Sequence, residues 1–236
     1  HCVTGVQTCA LPICGGTSSV DLPLGLTGSP DRPLTSGPDN PLLPRLRAHF
    51  GRAQAVDVVV AFTLRTGLDE LEAYLEDLLD REGELRLLTG DYLDITDPTA
   101  LLRLLDLQTR APDRVELRVF ESAGQSFHPK SYIFRDRTGG GVAYVGSSNL
   151  SRSALRDAVE WNYELVHGHD NVGFTVVNTA FEELFHHPKT RPLDAAWVRA
   201  YEARRRPTDA PRLVDAKPEP PPEPVTPRAI QRSEEH

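Results

Sequence analysis

The feature that most constrains the fold is the segment 126–164, in which three consecutive glycines separate two short apolar runs. The runs cover residues 131–134 and 142–145 and are rich in the β-branched and aromatic residues that favour strands. Such runs joined by a glycine turn predict an antiparallel hairpin. Because side chains alternate along a strand, His128 and Lys130 are expected on one face, with Gly146 and the residues after it returned beside them.

The side chains at this end of the hairpin have the chemistry that a phosphate group requires. Imidazole is a nucleophile whose ordinary pKa lies near neutrality, so His128 can attack phosphorus without a metal ion. The ammonium of Lys130 and the amide of Asn149 can hold the non-bridging oxygens as negative charge develops on them. The alternative is structural, with His128 at the end of a strand and Asn149 capping the next helix.

Further residues complete the expected phosphate site. Gly146 permits close approach of the backbone, and Ser147 or Ser148 adds a hydroxyl donor. Glu160 is expected to hydrogen-bond the far nitrogen of the imidazole and so to fix its tautomer. Glu164 is the other candidate for this role, and the spacing along the chain favours Glu160.

This ordered set resembles the signature of the phospholipase D superfamily, which runs H-x-K, four residues, D, about six residues, and then G-S-x-N. The matching residues are His128, Lys130, Gly146, Ser147 and Asn149, and Glu160 matches the later carboxylate of the family in its spacing. The signature aspartate is displaced, because position 135 is Arg135 and Asp136 comes one place late. The resemblance covers residues 43–206 and implies a single α/β domain, with a phospholipase-D-like mixed sheet flanked by helices.

The resemblance also implies a mechanism. His128 would attack phosphorus to form a covalent phosphohistidine, a second histidine would protonate the leaving oxygen, and neither a metal nor a cofactor would be needed. Only one H-x-K…G-S-x-N set is present, and related single-set enzymes pair two copies. The implied assembly is therefore a homodimer with the active site at its interface.

The implied substrate is nucleic acid, with DNA the first expectation, cleaved by the nuclease module of a helicase-linked defence or repair protein. Two alternatives stay open. One is a phosphodiesterase acting on a phospholipid headgroup. The other is a catalytically idle module that docks DNA or dimerises the helicase. The displaced aspartate and the net charge of −8 are compatible with this alternative.

Both ends of the sequence are predicted to be translated sequencing adapter, namely residues 1–14, which hold all three cysteines, and residues 232–236. Residues 15–42 predict an irregular leader, and residues 207–226 predict a proline-rich linker. Residues 227–231 (PRAIQ) resemble the start of a DEAD/DEAH-type helicase core. Phospholipase-D-like domains precede such helicases in bacterial restriction-type proteins. The chain is therefore expected to be a fragment of a cytoplasmic bacterial protein with a helicase domain as its partner in the full-length chain.

The charge pattern is mixed around the hairpin. A net charge of −8 disfavours general nucleic-acid binding, because phosphate contacts dominate that affinity. Basic residues nevertheless gather near the hairpin, and Arg152 among them is a candidate supporting residue of the site. No apolar run reaches the length of a membrane span, so a membrane partner is not expected.

Apolar periodicity predicts the remaining elements. The expected strands are 56–62, 85–89, 115–120 and 161–166 beside the hairpin, and the expected helices are 43–50, 67–81, 98–107, 151–158 and 171–186. Asp97 and Ser151 are expected to cap helices at their N-termini, and Gly83 to cap one at its C-terminus. Strands alternating with helices predict layers of helix against a mixed sheet.

Three other features of the sequence have both a functional and a purely structural explanation. Asp91 and Tyr92 follow the carboxyl end of a strand, where α/β sheets place ligands, so they line the cleft or form an ordinary turn. Trp161 and Tyr163 are expected to be core aromatics rather than a base-stacking platform. The histidine pairs at 167/169 and 186/187 lack a second cluster at a recognised spacing, so no metal site is expected.

Overall fold

The structure is a computed structural model that describes residues 33–206. The predicted adapter-derived ends, the proline-rich linker and the helicase start lie outside the described residues, as does the leader up to residue 32. The strands are β1 (Leu34–Ser36), β2 (Ala55–Val59), β3 (Glu84–Gly90), β4 (Val115–Phe120), β5 (Ser131–Arg135), β6 (Gly141–Gly146), β7 (Trp161–Val166) and β8 (Thr190–Pro192). The helices are α1 (Leu43–Phe50), α2 (Arg65–Asp80), α3 (Pro98–Arg110), α4 (Arg152–Arg156), α5 (Asn171–Phe185) and α6 (Ala195–Arg204).

The strands form one eight-stranded mixed sheet in the order β1-β7-β6-β5-β2-β3-β4-β8. β2, β3 and β4 pair in parallel, and every other pairing is antiparallel. The predicted hairpin is confirmed as β5 and β6, with Ser131 opposite Val145. The predicted α/β class with a mixed sheet is likewise confirmed.

The larger core lies on the sheet face that α1, α2, α3 and α6 cover. α2 buries the predicted leucine stripe, which consists of Leu68, Leu71, Leu75, Leu78 and Leu79. Tyr132, Phe134 and Tyr144 of the hairpin are fully buried on this face. The apolar hairpin residues therefore anchor the site segment to the main core.

The opposite face is covered by α5 through Phe174, Phe181 and Phe185, which pack on β2, β3, β5 and β6. Beyond α5, no element among residues 33–206 covers this face along β6, β7 and β1. Tyr163 lies opposite both Leu34 and Val145, and all three are exposed by 38 to 51%. Trp161, two residues from Tyr163 along β7, is 64% exposed. The expectation that Trp161 and Tyr163 are core aromatics is therefore wrong.

Three residues of β7 are buried, and two of them, Asn162 and Glu164, are polar. Asn162 donates to Thr35 Oγ1 at 3.1 Å and to Ser148 Oγ at 2.8 Å. Glu164 accepts from Arg45 at 2.6 Å. These partners satisfy the hydrogen-bonding groups of the two buried polar side chains. Buried and exposed side chains therefore alternate from Trp161 to Glu164, and the exposed ones are the two aromatic residues.

The helix caps illustrate how local sequence sets the elements. Asp97 and Ser151 accept from Thr99 and Ala154 as predicted. At the end of α2 the left-handed residue is Glu82 (φ 61°) rather than Gly83, which is a correction. Gly83 is required for a different reason, because a Cβ there would lie 2.4 Å from Leu78.

Three elements were not anticipated. β1 occupies a segment expected to be irregular leader, and β8 and α6 were not predicted at all. β1 and β8 are three-residue edge strands whose partners β7 and β4 are distant in sequence. Strands this short carry no measurable periodicity, so only the sheet edge that they complete defines them.

Candidate active site

The predicted nucleophile lies on the segment that leads into β5. His128 is exposed, and its ring packs edge-to-face on Tyr92 with the ring centroids 5.0 Å apart. Lys130 Nζ donates to the carbonyl oxygen of His128 at 2.8 Å. Both residues precede the strand itself, because β5 begins at Ser131. The contact with Tyr92 restrains the orientation of the imidazole.

The hairpin register brings the two halves of the motif together. The amide N–H of Gly146 donates to the carbonyl oxygen of Lys130 at 3.2 Å, so the end of β6 lies beside the histidine segment. A Cβ on Gly146 would lie 2.0 Å from the carbonyl oxygen of Trp161. The close backbone approach that this glycine permits in the structure is therefore to β7.

Asn149 is held with its amide group oriented for donation. Its Oδ1 accepts from the backbone N–H of Phe62 at 3.2 Å, and the side chain is 8% exposed. The next residue, Leu150, bridges to Thr63 after β2. Because the carbonyl is already engaged, the Nδ2 donors remain for a phosphate oxygen.

The two serines of the motif have different environments. Ser148 is fully buried, donates to the carbonyl oxygen of Ala154 at 3.1 Å and accepts from Asn162. Ser147 is exposed, and its Oγ accepts from the N–H of Trp161 at 3.1 Å. Ser147 is thus the serine that can reach a ligand, whereas Ser148 fixes the loop.

Glu160 lies near Ser147 and Lys130, and both residues affect the pKa of its carboxyl. Burial raises the pKa of its carboxyl, while a hydrogen bond with Ser147 and the charge of Lys130 oppose this rise. Burial lowers the pKa of Lys130, and the charge of Glu160 opposes that fall. Glu164, the rival candidate, is buried in its ion pair with Arg45.

Within residues 33–206, Glu160 forms no hydrogen bond with His128 of its own chain. The role predicted for Glu160 in orienting this imidazole therefore remains a prediction.

Arg135, at the position of the signature aspartate, belongs to an ion-pair network beneath α5. It pairs with Asp57 on β2, which also accepts from Arg86 at 2.7 and 2.8 Å. Arg86 pairs in turn with Glu182 of α5 at 2.6 Å. Asp57 is 1% exposed. Asp57 was not predicted from the sequence, although a lone charge inside an apolar strand pattern is a signal for such a pairing.

The remaining candidate residues separate into two groups. Tyr92 contacts His128, and its hydroxyl accepts from Ser126 at 3.1 Å. Asp91 instead accepts from Ser122 and pairs with Arg204 at 2.6 Å. Arg152 pairs with Glu70 at 3.0 Å. Asp91 and Arg152 are thus engaged in contacts between structural elements.

Neither a metal cluster nor a membrane span is found in the described part of the chain. Among residues 33–206, no group of three or more His, Cys, Asp or Glu side chains is placed to hold a metal ion. No helix in the same range is long and apolar enough to cross a bilayer.

Comparison with known proteins gives a family and several structural neighbours. A family model described as "Cardiolipin synthase, PLD-like domain" matches residues 46–187. NucT from Helicobacter pylori has a TM-score of 0.52 at 12% identity, over 68% of this chain and 97% of that one. Nuc from Salmonella typhimurium, a phospholipase D family member, has a TM-score of 0.51 at 12% identity, over 69% and 97%.

Phosphatidylserine synthase from Haemophilus influenzae Rd KW20 has a TM-score of 0.51 at 14% identity, over 68% of this chain and 39% of that one. No curated protein matches the chain. At these identities, the structural likeness concerns the fold.

Proposed function

Since the chain belongs to the phospholipase-D-like family of phosphodiesterases, we propose that it cleaves phosphodiester bonds in nucleic acid, with DNA the expected substrate. The observation that carries this proposal is the hairpin register, which joins the segment of His128 and Lys130 to the Gly146 loop. That loop carries the exposed Ser147 and also Asn149, whose amide is proposed to act on a phosphate held at His128.

In the proposed mechanism, the imidazole of His128 attacks phosphorus and the bond from phosphorus to the leaving oxygen breaks. The product is a covalent phosphohistidine. Lys130 and Asn149 hold the non-bridging oxygens, and Ser147 assists them. Water then attacks the phosphohistidine, which releases the phosphate ester and regenerates the imidazole. Glu160 is proposed to orient a histidine in the assembled site.

A second histidine is needed to protonate the leaving oxygen. The described chain has one copy of the motif, so the second histidine is proposed to be His128 of another copy in a homodimer. The open sheet face supports this assembly. Leu34, Val145 and Tyr163 form a cross-strand row on it, and Trp161 extends the row. We call these four residues the β7 patch. Val145 is followed directly by Gly146, so the β7 patch borders the site.

The proposed biological setting is a bacterial helicase-linked protein of the restriction, defence or repair type. Its support is the PRAIQ segment at 227–231 and the proline-rich stretch before it. If the longer protein contains the helicase, ATP is expected to change the rate or position of DNA cleavage, which gel analysis of the products would detect.

A second candidate is hydrolysis of a phospholipid headgroup. The exposed apolar β7 patch favours it, since such patches also mark lipid-binding surfaces. A vesicle or short-chain phospholipid assay, run beside the DNA assay, distinguishes the two substrates.

The test is incubation of the protein with single- and double-stranded DNA in excess EDTA, beside His128→Ala. We expect wild-type cleavage to survive EDTA and the variant to lose all of it. His186→Ala is the matched control, because His186 is an exposed histidine of which 60% of the side chain is accessible. Cleavage retained by His128→Ala, or abolished by EDTA, would overturn the mechanism. DNA binding without cleavage would indicate the idle module.

A further inference from the structure

A cavity of about 260 Å³ opens directly beside the candidate phosphate site. It lies between α5 and the strands β2, β5 and β6. His128 and Lys130 form part of its wall, and the rest is mostly apolar, with Val145, Val177, Phe181 and Leu184 among the lining residues. A phosphodiester held by His128 would therefore have one of its two substituents next to an apolar recess.

One polar group in this wall has no protein partner. Ser131 lines the cavity and is 7% exposed. Its hydroxyl has no hydrogen-bond partner among residues 33–206. Ser131 lies in register between Val59 and Val145, which also line the cavity. Because a buried hydroxyl without a partner is costly, a ligand in the cavity would supply the missing hydrogen bond once the Ser131 side chain rotates toward it.

We propose that this cavity holds one nucleobase of the substrate, attached through its sugar to the phosphate at His128. The apolar walls suit the faces of a heterocycle, and Ser131 suits a donor or acceptor on its edge. An acyl chain would fill the apolar part but leave the Ser131 hydroxyl unpaired. The inference rests on the proposed nuclease function and adds a base-binding subsite to it.

A base in this cavity must leave its stack and its pairing partner. Extrusion from a duplex costs free energy, whereas a base in a single strand is already free to enter. The cavity therefore predicts that single-stranded substrates are preferred, without a strong preference for sequence, since one hydroxyl can pair with any base.

The first experiment compares the binding of dTMP and deoxyribose 5-phosphate to the wild-type protein by calorimetry. We expect dTMP to bind roughly tenfold more tightly, in line with the contribution of one base in single-strand binding proteins. Equal affinities would overturn the inference. The inference would also be overturned if dihexanoyl phosphatidylglycerol displaced dTMP at a lower concentration than dTpdT does. That result would indicate that the cavity holds a lipid substituent.

Two variants then locate the effect. Ala180 is exposed on α5 and lines the cavity, so Ala180→Trp should obstruct it and remove the advantage of dTMP over the sugar phosphate. Thr179→Trp is the control, because the neighbouring Thr179 is also exposed on α5 but is absent from the cavity wall. If both variants retain the dTMP advantage, the base does not occupy this cavity.

Ser131→Ala separates a ligand role from a structural one. It removes a hydroxyl that has no protein partner, so the melting temperature should not fall while the affinity for dTMP does. A fall in melting temperature with unchanged dTMP affinity would contradict the proposal. Because these readouts require no turnover, they are independent of the DNA cleavage assay in EDTA. Failure of the nuclease proposal and failure of the base subsite can therefore be told apart.

Discussion

At the residue scale, the displaced aspartate of the signature has a structural explanation. Arg135 fills that position and pairs with the buried Asp57 of the neighbouring strand. The carboxylate near this point of the sheet thus comes from β2, and the hairpin supplies the cation. The departure from the family pattern lies in the ion-pair network under α5, whereas His128, Lys130 and Asn149 match the signature.

This pairing predicts that restoring the signature residue will harm the protein. Arg135→Asp would place a second carboxylate against Asp57, and we expect it to lower the free energy of unfolding by about 3 kcal/mol, as for other broken buried pairs. Urea denaturation measures this loss. Asp136→Asn is the control, since Asp136 lies at the turn outside the network. A stability loss no larger than that of the control would show that the network contributes little.

The environment of Glu160 predicts a pH effect. The hydrogen bond with Ser147 lowers the pKa of Glu160 against the larger effect of burial, which raises it. Ser147→Ala should therefore raise this pKa further. If Glu160 acts as a carboxylate, the acid limb of the pH–rate profile will move to higher pH. Glu160→Gln should remove the contribution of Glu160 to that limb, and an unshifted limb in Ser147→Ala would argue against a role for the ionised carboxylate.

At the element scale, α1 is attached to the sheet through a buried histidine. His49 is 6% exposed and lies 2.9 Å from the hydroxyl of Tyr144 on β6. Burial, with the nearby charges of Arg52 and Arg45, lowers the pKa of His49 from 6.5 to about 4. The folded protein therefore holds this imidazole neutral in a range where the unfolded chain protonates it.

Linkage then fixes the sign of the pH dependence. As the pH falls through 6.5, the unfolded state takes up a proton that the folded state excludes until about pH 4, so stability falls across this range. The loss attributable to His49 amounts to about 3 kcal/mol. Urea titrations of wild type and His49→Phe between these pH values should show a shallower fall in the variant. Parallel curves would mean that His49 does not carry the effect.

The elements also show what the sequence could predict. β4 and β7 match their predicted bounds, because their patterns are regular and their ends carry clear signals. The outward turn of Trp161 and Tyr163 could not be predicted in the same way. Periodicity shows which residues share a face, but how much of that face α5 covers depends on tertiary packing. The motif predicts the residues of the candidate site, and their roles stay predictions, whereas the cavity beside them depends on α5, which follows the motif in the sequence.

At the scale of the whole molecule, coverage of the sheet is unequal. Within residues 33–206, one face is packed by α1, α2, α3 and α6, and the other by α5, which leaves the β7 patch uncovered by these elements beside the site. A second copy of the chain packed on the β7 patch would cover this apolar surface. In the proposed homodimer, this second copy also supplies the second His128 that protonates the leaving oxygen.

This assembly predicts that one charge on the β7 patch will disrupt both the oligomer and its activity. Trp161→Glu should convert a dimer to a monomer in sedimentation analysis, because it would bury an unpaired charge in the interface. Phosphodiester cleavage should fall with the dimer fraction and recover as protein concentration rises. Leu102→Glu is the control, since Leu102 is 43% exposed on α3, across the sheet from the patch. A monomeric wild type with full activity would show that each copy completes its own site.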